Sequence, residues 1–253
     1  MIYFIISSPR SGSTKLFHTI YNALKTTQNN TFKFGETLSN EKRPHRKKPL
    51  DRHITEDILG NQGNIVLKDF ANWIDDLDRG LLDWTSSKEV QNAWETFKNA
   101  EKYNILLLRE NIVDQIISLS YGMQTKLYIY YYSENTKCLD VELKKEFIDE
   151  AFNIIVRNYN LFFSKHKNIA DEIVTYGQIK KSSTDLFLSL KMSKNFKDSV
   201  PNLPELTYPT PYNIIYNETS ARKYVAEKLK NDKNLIYFPI DGENLDLDKW
   251  NKI

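Results

Sequence analysis

Two rhythms of apolar residues run through this chain. Short apolar-rich runs at Ile2–Ile6, Thr31–Phe34, Asn64–Lys68, Asn104–Leu108 and Glu172–Tyr176 predict strands, those at Ile2–Ile6, Asn64–Lys68 and Asn104–Leu108 buried by their composition. Between them apolar residues recur three and four apart. Leu16, Phe17, Ile20, Ala23 and Leu24 define one helix face; Ile112, Val113, Ile116, Ile117 and Ser120 define another. Leu143 to Phe163 reads as a long helix with Phe147, Ala151, Ile154, Ile155, Asn158 and Phe162 inward. Shorter helices are predicted at Ile54–Leu59, closed by Gly60 and Gly63, from Ile74 and Leu77, and at Val90–Phe97, Ile179–Leu190 and Thr219–Leu229. Pro201, Pro204, Pro209 and Pro211 mark an extended linker over residues 198–217, and an irregular tail ends the chain. Strands that alternate with helices predict an α/β fold of three layers, a central, mostly parallel sheet flanked by helices.

The junction of the first strand and first helix carries the chemistry. Ser7-Ser-Pro-Arg-Ser-Gly-Ser13 is a turn of small residues leading directly into the helix at Thr14. Such a turn gathers free backbone N–H groups and a helix dipole's positive end around one point, which suits an anion, most often a phosphate. On the nucleoside-triphosphate loop template G-x-x-x-x-G-K-[ST], Ser7 takes the first glycine, Gly12 the second, Ser13 the lysine and Thr14 the hydroxyl residue. The lysine that would reach the β- and γ-phosphates is absent and a cation stands at Arg10 instead, which argues against ATP or GTP hydrolysis while keeping a P-loop-like fold. Arg109 ends the strand 104–108 and so falls on the same sheet edge as the loop, where parallel sheets bind ligands. Ser118 lies nearly opposite the apolar arc of the helix that follows, at a position able to face a ligand.

The P-R-S-G-S-T run after a first strand resembles the 5′-phosphosulfate loop of the sulfotransferases. Leu108-Arg-Glu-Asn-Ile-Val-Asp-Gln-Ile-Ile-Ser-Leu resembles the R-E-N…S form of their second signature, common in bacterial and carbohydrate-type members. The likeness covers residues 1–40 and 103–122. It implies a single sulfotransferase-like domain over 1–253, and transfer of a sulfuryl group from 3′-phosphoadenosine 5′-phosphosulfate to a hydroxyl or amine, with 3′-phosphoadenosine 5′-phosphate as product. Arg10, Ser11, Gly12, Ser13 and Thr14 would then hold the 5′-phosphosulfate, and Arg109 and Ser118 the 3′-phosphate. Glu-Asp-Leu often follows a strand like 172–176 in that family; here Gly177-Gln178-Ile179 stands in its place and the carboxylate is missing.

Sulfuryl transfer requires charge stabilisation, in-line positioning and removal of the acceptor's proton. Arg10 suits the first. The resemblance implies a histidine base, as in cytosolic members, or a glutamate not far beyond the loop helix, as in several carbohydrate or bacterial members. Glu36, in Phe34-Gly-Glu-Thr, fits the latter and is favoured, with Asp69 second and the histidines at 18, 45, 53 and 166 without a motif behind them. Lys68, at the end of the third strand, is placed to reach the leaving oxygen; a strand-end lysine is also common for structural reasons. No metal is implied, since no ligand cluster stands out. A degenerate P-loop nucleotide kinase and a catalytically silent nucleotide-binding protein are the competing readings.

Composition adds bounds. A net charge of +2 gives no general reason to expect nucleic acid as a partner. One cysteine, Cys138, excludes an internal disulfide and a cysteine-rich zinc site. No signal-like stretch and no run near ~18 apolar residues appears, so a cytoplasmic protein without a membrane span is expected. The basic segment 40–53 reads as solvated surface, or as a cover over the nucleotide or an anionic acceptor. The tyrosine-dense stretch 126–133 reads as half-buried surface, or as an acceptor wall. The acceptor stays open among a carbohydrate, lipid head group, phenol or tyrosyl peptide, as does the oligomeric state.

Overall fold

In the computed structural model, five parallel strands run side by side in the order β2-β3-β1-β4-β5, where β1 is Ile2–Ser7, β2 Thr31–Gly35, β3 Asn64–Phe70, β4 Lys102–Leu108 and β5 Glu172–Thr175. The structure describes residues 1–28, 30–36, 48–81, 85–126, 140–196, 203–206, 215–232, 240–241 and 243–252. All five strands fall where the apolar runs predicted them, and the sheet they form is parallel throughout.

The pleat divides the core in two. Phe4, Ile6, Ile65, Leu67, Leu106 and Leu108 face one layer, with helices α3 (Ala71–Asp78), α4 (Lys88–Asn99), α5 (Ile112–Thr125) and α6 (Lys145–Leu161) over them. Tyr3, Ile5, Val66, Ile105, Leu107 and Val174 face the other, covered by α1 (Ser13–Thr27) and α8 (Ser183–Ser189). Each fully buried Leu, Ile or Phe contributes about 1.5–3 kcal/mol, and these two layers hold the strand ends in register.

α2 (Leu50–Arg52) continues into a π-helical turn, His53–Leu59, so residues 50–53 of the basic segment are helical rather than loop. Lys48 is anchored there by Asp57 at 2.5 Å and Glu56 at 3.1 Å. Residues 40–47 of that segment, and 127–139 with most of the tyrosine-dense stretch, lie outside the described residues.

Three expectations need correction. A single helix was expected at Ile179–Leu190, but two are found, α7 (Tyr176–Ile179) and α8. Ser182 separates them because its hydroxyl accepts the Asp185 N–H at 3.1 Å and starts a new helix. The inward face of α6 is turned slightly from the expected one, burying Phe152 and Tyr159 while Phe147 and Ile154 are half-covered. The tail is not irregular. After α9 (Glu218–Asn231) it forms a two-stranded antiparallel ladder, β6 (Ile240–Asp241) with β7 (Asn244–Leu245), and then α10 (Leu247–Lys252). Within 198–217, Leu203 is buried in the second core layer and the Glu205 carboxylate accepts the Ser183 N–H at 2.9 Å. Residues 197–202 and 207–214 lie outside the described part.

No helix among the described residues is long and apolar enough to cross a membrane.

Candidate functional site

The connections from β1 lead to β2 and β3 on one side, while β4 and β5 lie on the other, so the strand order reverses beside β1. A crevice at the carboxyl ends of the strands belongs at such a reversal. The loop between β1 and α1 lies there. Arg10 and Gly12 both have left-handed backbone, φ 61° and 87°, and alternate with ordinary residues; this curls the chain so that successive N–H groups turn toward a common point. At Gly12 a side chain is excluded twice over, by that φ and by crowding: a Cβ would stand 3.0 Å from Ile179 Cγ2 and 3.1 Å from the Tyr176 ring. No side chain caps α1 and no acidic residue occupies its first turn, so its dipole is unopposed. The hydroxyls of Ser8 and Ser11 are buried without a hydrogen-bond partner, each an expense of about 1–3 kcal/mol that a bound polyanion would remove. The loop has the backbone curl and helix end that suit an anion.

A first cluster forms on the β3 side. In register, Gly35 pairs with Lys68, and the Glu36 N–H donates to the Lys68 carbonyl at 2.7 Å. Glu36 takes a left-handed φ of 47°, and its carboxylate lies 3.0 Å from Lys68 Nζ. The same ammonium donates to Thr14 Oγ1 at 2.9 Å and lies over the Phe17 ring at 5.8 Å. Lys68 is 7% exposed, and a buried ammonium is tolerated because these partners replace water. Two expected site residues from different strands thus meet at the start of the anion loop's helix.

The rival bases are placed differently. Asp69 is 1% exposed and its carboxylate accepts its neighbour's N–H, Phe70, at 3.0 Å. His18, on α1, is pushed down to about 4 by burial and then by Lys33 and Lys68. His53 Nδ1 lies 2.9 Å from the Asp57 carboxylate, while His166 is buried at the far end of α6. His45 lies outside the described residues.

A second cluster forms on the β4 side. Arg109 Nη1 donates to the Arg10 carbonyl at 3.0 Å, and Arg10 Nε donates to Ser118 Oγ at 2.9 Å. Arg10 therefore joins Arg109 to Ser118, the pair expected at a 3′-phosphate. The Arg109 guanidinium stacks on the Tyr176 ring, 4.5 Å from its centroid, and Arg109 Nε is buried without a partner. Behind it, Tyr159 OH accepts the Arg109 N–H at 3.0 Å and lies 2.7 Å from the Arg109 carbonyl and 2.8 Å from Gln115 Oε1. Gln115 in turn donates to the Pro9 carbonyl at 2.6 Å, so one hydroxyl and one amide tie the strand end to the loop. Burial holds the Tyr159 phenol well above its ordinary range, which keeps it a neutral hydrogen-bonding group.

Tyr159, Gln115, Tyr176 and Asp114 were not foreseen as site residues. Tyr159 sits beside Asn158 on a helix read as core, and nothing local marks its hydroxyl as bound to a strand end some fifty positions away. Glu110 supplies a carboxylate to α7, accepting the Gly177 N–H at 3.1 Å, although α7 has none of its own in its first turn.

Among the described residues, no three His, Cys, Asp or Glu side chains are grouped to hold a metal ion. No model of a known protein family matches the chain, and no curated protein matches it. The site consists of three cations, Arg10, Lys68 and Arg109, around one anion loop, with a carboxylate, Glu36, at its margin.

Proposed function

We propose that the chain is a sulfotransferase that uses 3′-phosphoadenosine 5′-phosphosulfate and acts on a hydroxyl or amine of a small-molecule or glycan acceptor. The observation that carries this reading is Lys68 Nζ between Thr14 Oγ1 and the Glu36 carboxylate, at the mouth of an anion loop whose own lysine is missing. A cation and a base thus adjoin the point where the loop would hold a transferable group.

Bound there, the donor supplies a sulfuryl group already activated on a phosphate leaving group. Arg10 and the N–H groups of Ser11, Gly12, Ser13 and Thr14 bind the 5′-phosphosulfate oxygens, and the buried Ser11 hydroxyl gains a partner. Arg109 and Ser118 bind the 3′-phosphate. Glu36 takes the acceptor's proton, and Lys68 places positive charge where the leaving oxygen becomes negative. The exposed position of Thr14 leaves the mouth open to an acceptor.

A thermal-shift titration with 3′-phosphoadenosine 5′-phosphate, magnesium–ATP and AMP, on the parent and on Arg109→Ala, tests the donor. At ~100 times its dissociation constant a ligand adds ~2.7 kcal/mol, visible as a raised melting temperature. A shift with the bisphosphate that disappears in Arg109→Ala is expected. A shift with magnesium–ATP and none with the bisphosphate would overturn the reading in favour of a kinase.

A further inference from the structure

The surroundings of Arg109 carry one more inference, which rests on the donor reading above. Asp114, in the first turn of α5, divides its carboxylate between two arginines: Oδ1 lies 2.5 Å from Arg222 Nη2 and Oδ2 lies 3.6 Å from Arg109 Nη2. Arg222 comes from α9, over a hundred positions later. Its Nε meets Glu218 at 2.8 Å and its Nη1 meets Glu243 at 3.3 Å, so each nitrogen of the guanidinium is committed to a different carboxylate.

The segment bearing Glu243 is fastened to the Arg109 turn. The Ile112 N–H donates to the Glu243 carbonyl at 3.1 Å, the Leu245 N–H to the Glu110 carbonyl at 2.7 Å, and Asn111 Nδ2 to the Glu243 carboxylate at 3.3 Å. Asn111 also caps α5 by accepting the Asp114 N–H at 2.7 Å. The turn that presents Arg109 is therefore fastened by Glu243 and Leu245, with Arg222 of α9 on its Asp114.

Three carboxylates, Asp114, Glu218 and Glu243, stand in this cluster against two guanidinium groups, Arg109 and Arg222. Without Arg222, Asp114 could turn both oxygens onto Arg109. An arginine chelated by a carboxylate is a poor host for a dianion, because its charge and its N–H fork are already taken.

We propose that Arg222 is a positioning residue for the 3′-phosphate: by engaging Asp114 it keeps Arg109 Nη2 available to that group, Arg109 Nη1 being held by the Arg10 carbonyl. Arg222 itself touches no donor atom in this scheme; it acts through Asp114. The loop that would hold the 5′ end is reached only indirectly, through the Arg109 Nη1 bond to the Arg10 carbonyl, so a ligand lacking the 3′-phosphate should feel Arg222 less.

Calorimetric titration of 3′-phosphoadenosine 5′-phosphate and of AMP into the parent, Arg222→Ala, Asp114→Asn and the double variant tests this. In Arg222→Ala the bisphosphate should bind about tenfold more weakly, with AMP changed less than about twofold. Adding Asp114→Asn to Arg222→Ala should restore most of the loss, a rescue that a merely structural role for Arg222 would not give. Unchanged bisphosphate affinity in Arg222→Ala, an equal loss for AMP, or a double variant as weak as Arg222→Ala would each overturn the inference. A parent that binds the bisphosphate no better than AMP would remove the donor reading itself, and is seen before any variant is compared.

Discussion

Lys68 and Glu36 meet at 3.0 Å across neighbouring strands, and the same lysine donates to Thr14 at the first turn of the loop helix. The carboxylate and the ammonium proposed to serve opposite ends of a transfer reaction are therefore ion-paired with each other. Removing either should have a distinct signature.

Glu36→Gln keeps the shape and loses the proton acceptor. Turnover of the phosphosulfate donor with a panel of acceptors should fall by about 10²–10⁴, while 3′-phosphoadenosine 5′-phosphate binds nearly as before. A near-normal rate in this variant would show that the proton leaves by another route.

Lys68→Met removes the ammonium and retains most of the packing against Phe17. Affinity for the bisphosphate should fall by roughly 1.5–3 kcal/mol, and kcat by on the order of a hundredfold, because the charge matters most as the leaving oxygen develops. Single-turnover and equilibrium measurements separate the two effects.

Gly12→Ala tests the loop's shape. The left-handed φ and the contacts with Ile179 and Tyr176 should cost roughly 2–3 kcal/mol, lowering the melting temperature by roughly 5–10 °C. Loss of the bisphosphate's thermal shift should accompany it. A variant with parental stability would mean that the loop adopts another backbone path.

His166 gives a pH dependence. Burial, with a smaller contribution from Lys165 and against the opposing charges of Asp75 and Asp78, pushes it down to about 4 from 6.5. The unfolded chain binds the proton first as pH falls, so stability is whole above ~6.5, declines between there and ~4, and then levels. Between about pH 7 and about pH 5, His166→Leu should remove on the order of 2 kcal/mol from the loss seen by urea unfolding, leaving the part that His18, also held near 4, contributes. Equal losses in both proteins would assign the dependence to other groups.

Much of this molecule was legible in its sequence, for identifiable reasons. β1 and β3, and the second half of β4, are buried on both faces, so continuous apolar runs marked them, while the edge strand β2 is exposed or half-buried. The loop was legible because its small residues, Arg10 and Gly12 are contiguous, and Arg109 because it ends such a run. The break between α7 and α8 depends on one serine cap, which the apolar spacing on either side conceals. The ladder at 240–245 has strands two residues long, too short for any alternation to register. The supports of Arg109 were hidden for another reason: Tyr159, Gln115, Asp114 and Arg222 come from three helices and meet only once these pack.

One feature of β3 sets the electrical character of the whole crevice. Successive residues of a strand point to opposite faces, so Lys68 is turned toward Thr14 while Asp69 is turned away. A single-residue insertion in that strand would exchange them, bringing a carboxylate to the loop and an ammonium to the opposite layer. The sign of the potential at the mouth thus hangs on the parity of seven residues, a discrete switch that no gradual adjustment of side chains could compensate.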